Sequence, residues 1–175
     1  MMKFFSNKKT ILFWGSILII FIALLGVAGW LRIIEYSKDK NAYLDDLEIT
    51  YVGGNEFYSN NLEPSLTKDG GIKKEIKIDN KFGNVKDISI FLGINNINPS
   101  LKNEYFKWEL YENGDFLTSS DFSSANTGTM LNIIKKEISL KNYDYTFYVW
   151  IDANKINNSF QNGDFSFTLY VSKNN

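Results

Sequence analysis

The sequence predicts an all-β fold. It reads as an antiparallel two-layer β-sandwich, jelly-roll-like, of roughly seven or eight strands, preceded by one N-terminal transmembrane or signal-anchor α-helix. Three observations predict it. An uncharged apolar run lies near the N-terminus, strict alternation of apolar and polar residues dominates after Leu44, and Asn-Gly turns punctuate that alternation. The chain has 175 residues, 44% hydrophobic and 16% aromatic. That is enough for one folded domain with an appendage.

The run comes first. Residues 10–31, "TILFWGSILIIFIALLGVAGWL", carry no charge, and as a helix of about 22 residues they would extend roughly 33 Å and match a bilayer core. Lys3, Lys8 and Lys9 precede it, which keeps residues 1–9 in the cytoplasm and sends the remainder out. Trp14 and Trp30 fall toward the two membrane interfaces, where amphipathic rings are favoured. The expectation is a single-pass protein of the cell membrane, contacting lipid through residues 10–31. "GVAG" at residues 26–29 also places small residues around a signal-peptidase site after Ala28, and cleavage there would release a secreted chain. The apolar run is longer than a secretory core usually is, which favours retention. Gly15, Gly26 and Gly29 offer small surfaces for packing against another membrane helix or are simply tolerated in lipid. Residues 32–43, "RIIEYSKDKNAY", read as a charged stalk, and residues 44–175 as the extracytoplasmic domain.

The strands follow in order. Residues 47–52 and 72–78 alternate. In "ISIFLGI" Ile88, Ile90, Leu92 and Ile94 share one face, and in "FKWEL" Phe106, Trp108 and Leu110 share another, with Lys107 and Glu109 pointing away. "ENGDF" at residues 112–116 predicts a hairpin whose Asn113-Gly114 takes positive φ in a type I′ turn and sets Leu110 opposite Leu117. Residues 133–140 read as a further strand. The last two strands are the most apolar. Tyr145, Phe147, Val149 and Ile151 line one side of the first, and Phe165, Phe167, Leu169 and Val171 line one side of the second. A single sheet with so apolar a face would leave it in water, so two layers are expected.

Composition excludes several function classes. There is no Cys and no His, which removes disulfides, thiolate metal sites, the usual neutral-pH base and every Ser-His or Cys-His nucleophile pair. An enzyme is not expected, and neither is a cofactor. The formal net charge is -1 with no basic cluster in the outer domain, so no footprint for nucleic acid is present.

Two surface features remain. Asp152, Asn154 and Asn158, with Asp164 nearby, supply oxygen ligands of the kind Ca²⁺ takes. The spacing lacks an oxygen donor at Ile156 and the Glu that closes an EF-hand loop, and Asn and Asp that cap their own turn account for the same residues. Asp45 and Asp46 form a lone acidic pair that reads as solvated. The second feature is aromatic: Tyr148, Trp150 and Tyr170 fall on the outward side of their strands, with Tyr111 and Phe116 similarly placed on the hairpin. If the last two strands pair, these rings form a platform for a sugar or a protein partner. A covering loop would bury them instead. "NNS" at Asn157 is a glycosylation sequon in form.

"NLEPSLTKDGGIKKEIKIDNKFGNVKDISIFL" is similar to the start of the TasA and camelysin group of secreted Gram-positive bacterial β-sandwiches, and "YTFYVWIDANKINNSFQNGDFSFTLYV" resembles the closing strand pair of small surface proteins of this layout. The resemblance covers residues 61–171 and rests on alternation and turns. It implies an exported jelly-roll-like sandwich, some of whose relatives assemble into matrix fibres by passing an N-terminal strand to a neighbour. The metalloprotease activity described for camelysin does not carry over, since no His-Glu-x-x-His site is present. The functional expectation is therefore a non-catalytic cell-surface binding or assembly module with a protein, cell-wall or matrix partner, self-association included. The alternatives are an accessory subunit of a membrane complex and a processed secreted subunit of a matrix fibre.

Overall fold

A computed structural model describes residues 40–44, 46–139, 141–156 and 163–174. The chain divides into a segment Met1–Lys38 and a compact unit Asp39–Asn175. The predicted helix at residues 10–31, with Trp14 and Trp30, lies outside the described residues, as do Asp45, Leu140, Asn157 and Asn158. No helix among the described residues is long and apolar enough to cross a membrane.

The compact unit is all-β, as the alternation predicts. Its strands are β1 Lys40–Leu44, β2 Leu47–Val52, β3 Glu56–Ser59, β4 Pro64–Ser65, β5 Ile72–Asn80, β6 Lys86–Ile97, β7 Phe106–Glu112, β8 Asp115–Asp121, β9 Met130–Ile138, β10 Asn142–Asp152 and β11 Phe165–Asn174. They form two sheets. Sheet A runs β1-β2-β5-β10-β7-β8, with β4 alongside β10, and sheet B runs β3-β11-β6-β9. All pairings are antiparallel except the two-residue contact of β4 with β10.

The strand count exceeds the expectation because β1, β3 and β4 are short or charged and give little periodicity. β1 begins at Lys40, inside the segment read as stalk, and pairs with β2 from Lys40↔Tyr51 to Leu44↔Leu47. Its sequence KNAYL directs only Ala42 and Leu44 toward the core, which suits an edge strand that must face water.

The two inner faces meet in a core built from the predicted alternating sets together with Phe57 and Phe122, which the alternation did not single out. Phe106 on β7 lies 5.1 Å from Phe165 on β11, and Phe57 on β3 lies 6.2 Å from Phe147 on β10, ring centre to ring centre. Phe122, just after β8, stacks 4.9 Å from Phe167. Each contact joins the layers through buried aromatic area, the dominant stabilising term in such a sandwich.

The hairpin is where predicted and observed register part. Asn113 (φ 49) and Gly114 (φ 92) both take positive φ as expected. Tyr111 pairs with Phe116, but Leu110 pairs with Thr118, because a bulge leaves Leu117 without a direct partner. A bulge bends an edge strand away from further pairing, and β8 is such an edge. Asp46 also departs from the solvated reading. Lys86 Nζ lies 3.0 Å from its carboxylate, and that hydrogen bond holds its pKa below the usual 3.8.

Candidate functional site

The outward side chains of β7, β8 and β10 share one surface of sheet A, because Tyr111 pairs with both Phe116 and Thr146 and Glu109 with Tyr148. Tyr111 is the hub. Its ring sits 5.7 Å from Phe116 and 5.6 Å from Tyr148, each at 78°, the edge-to-face geometry that ring quadrupoles favour. The Tyr111 hydroxyl donates to Glu109 Oε2 at 2.8 Å. That hydrogen bond to Glu109 raises the Tyr111 pKa above 10.0. Phe116 is 57% exposed, and Tyr111 and Tyr148 are half-buried.

Two members of the predicted platform do not join this cluster. Trp150 is only 6% exposed. The segment leading into β5 lies against it: a Cβ on Gly71 would stand 2.5 Å from Trp150 Cβ and 2.3 Å from the Val149 carbonyl oxygen. Tyr170 belongs to β11 in sheet B, where it pairs with Phe91 and packs over Gly93. The premise of adjacent last strands fails because β10 and β11 lie in different layers. Tyr170 is 42% exposed, on the opposite outer face.

Sequence reasoning did not find the residues that complete the surface. Lys68, in the 3-10 turn Lys68–Gly70, places its Nζ 5.0 Å from the Tyr111 ring centre and 5.3 Å from that of Tyr148. A hydrogen bond with Tyr111 is the chief cause that raises the Lys68 pKa. No signal in "SLTKDGG" could have linked Lys68 to a strand so distant in sequence. Next to Glu109, the cross-strand partner of Tyr148, lies a hollow of about 180 Å³ whose lining includes Glu109, Lys107, Asp121, Trp150 and Lys155.

Of the candidate oxygen ligands, Asp152, Asn154 and Asp164 lie among the described residues, and both carboxylates are engaged by protein donors. Asp152 accepts from Lys107 Nζ at 2.5 Å through Oδ2 and from the Asn154 backbone N–H at 3.0 Å through Oδ1. The lysine bond is the main reason its pKa falls below 3.8. Asp164 accepts from the side-chain amides of Asn96 and Asn98. Both carboxylates are thus satisfied by protein donors, and no group of three or more acidic side chains fit to hold a metal ion occurs among the described residues. Asn158 lies outside them.

No family model and no curated protein matches the chain. Among solved structures, the lectin domain of lectinolysin complexed with Lewis B antigen matches at 11% identity and a TM-score of 0.30, covering 70% of each chain. That likeness is too slight to carry a fold or a ligand across.

Proposed function

We propose that this protein is a non-catalytic binding module displayed outside the cell. In this reading residues 10–31 anchor it in the membrane, residues 1–9 stay in the cytoplasm, and the sandwich presents the outer face of sheet A to a cell-wall, matrix or protein partner. The observation that carries the reading is the cluster of Tyr111, Phe116 and Tyr148. Aromatic rings gathered on strands, with a carboxylate beside them and a polar hollow next to that carboxylate, form a rigid and selective contact surface.

Further features support it. The depressed aspartates are occupied by capping and ion pairing, as with Asp46–Lys86 and Asp152–Lys107, rather than poised for proton transfer. The strand order β5-β10-β7-β8 against β3-β11-β6-β9 agrees with a jelly-roll-like layout, and with it the TasA and camelysin resemblance enters as part of the proposal. Membership of a membrane complex is the second reading, favoured by the small residues Gly15, Gly26 and Gly29 within the apolar run.

The test uses the full chain on cells. Changing Tyr111 and Tyr148 together to Ala is expected to abolish retention of wall or matrix fragments while surface exposure, read by protease shaving, is unchanged. Undiminished retention by the double variant rejects the surface. Protection of the sandwich from protease added to intact cells rejects the topology.

A further inference from the structure

We propose that the aromatic cluster is a receptor site for an alkylammonium group and that Lys68 occupies it in cis, as a tethered competitor that an external ligand must displace. The inference rests on the reading of this face as a binding surface and names the chemistry it selects.

The site already holds a cation. Lys68 Nζ stands within 6 Å of two ring centres, the range in which a ring face attracts an ammonium. Tyr111 and Tyr148 meet at 78°, so they present a corner rather than a flat plate, and Phe116 extends the wall. Glu109 accepts the Tyr111 hydroxyl and adds negative charge behind the ring. None of the described ion pairs involves Lys68. Its ammonium faces two rings, with the charges of Glu109 and Asp69 acting on it from nearby, and ring faces over an ammonium are the recognition chemistry of aromatic cages for lysine-derived and choline-type cations.

The tether is built to let go. The turn Lys68–Gly70 buries none of its residues, and its closing backbone hydrogen bonds are Gly70 N–H to Thr67 O at 3.3 Å and Gly71 N–H to Lys68 O at 2.9 Å. Gly71 is wedged against Trp150, so the turn keeps its base while the long side chain of Lys68 swings. The hollow beside Glu109 then takes the remainder of the ligand.

A group on so short a tether competes at an effective concentration in the millimolar range. The experiment uses the full chain in detergent micelles and two probes, choline for a quaternary headgroup and n-butylammonium for a lysine side chain. Lys68→Met keeps the alkyl stem and removes the charge. It is expected to bind at least one probe about tenfold or more tightly than the wild type, and Tyr148→Leu added to it is expected to erase the gain. The better-bound probe identifies the source of the ammonium. An unaltered melt with no gain for either probe overturns the proposal.

A second measurement needs no variant. Labelling of Lys68 in the wild type by an amine-reactive reagent, read by peptide mass, is expected to quicken as choline is added, and a constant rate overturns displacement by choline unless n-butylammonium alone gained affinity in the first experiment. Loss of fragment retention in the Tyr111 and Tyr148 variant with no ammonium binding anywhere would leave the surface standing and remove its ligand assignment.

Discussion

Gly71 and Gly114 show how one residue type serves two physical ends. Gly114 sits at φ 92 with nothing within 4 Å of a built Cβ, so only backbone strain opposes a side chain there. Gly114→Val is expected to destabilise the fold by about 1 kcal/mol or slightly more. Gly71 takes φ -98, which any residue adopts, but its missing Cβ is what lets the chain lie on Val149 and Trp150. Gly71→Ala is expected to cost more, about 1–3 kcal/mol, through overpacking against backbone. Thermal melts of both variants in parallel decide the ranking. At the same scale, Asp152 is held below its ordinary pKa by Lys107. Its contribution is present above the unfolded value and disappears as pH falls through the folded one. The melting temperature of the wild type is therefore expected to drop below about pH 4 more steeply than that of Asp152→Asn, measured by circular dichroism across the acid range.

Among the elements, β11 is the one on which sheet B depends. It lies between β3 and β6, and residues of β2 and the turn after it also grip it. The Tyr51 hydroxyl accepts the Val171 N–H at 2.9 Å, and Asn55 exchanges backbone and side-chain hydrogen bonds with Leu169. Tyr51→Phe keeps the ring and strands a buried N–H, so it is expected to cost about 1–3 kcal/mol by denaturant titration. The alternation that identified β10 and β11 reported which side of each strand is apolar, and burial agrees: Phe147 and Phe167 are both fully enclosed. It carried no information on which sheet each strand joins, because parity along a strand is the same in either layer. Alternation therefore groups Tyr170 with Tyr148 although they stand on different sheets. It misplaces Trp150, which is buried, for a related reason. A period of two assigns faces, whereas a loop laid over one of them, here through Gly71, is a tertiary event. The Tyr111–Phe116 contact was legible because a two-residue Asn-Gly turn fixes the register next to it.

Across the whole molecule, the layers are joined by the phenylalanines of β7, β10 and β11 together with Phe57 and Phe122. Phe167 touches Phe57, Phe106, Phe122 and Phe165 within 6.2 Å. Phe167→Ala is therefore expected to remove about 3–5 kcal/mol, a large part of what a domain of this size holds in reserve. Guanidinium unfolding followed by Trp fluorescence measures it. A loss under about 1 kcal/mol would mean that the layers are not held together there.

The place of β11 also sets a timetable. A ribosome delivers the N-terminal end first and domains fold as units while synthesis proceeds, yet the strand that separates β3 from β6 is the last, in chain order, of the described strands. Until the segment Phe165–Asn174 emerges, β3 has no neighbour in its sheet and the inner face of β6 has no Phe167 or Leu169 beside it. Sheet B thus cannot close until residues 165–174 have been made, and until then β3 stands apart from the β6–β9 pair that it joins through β11.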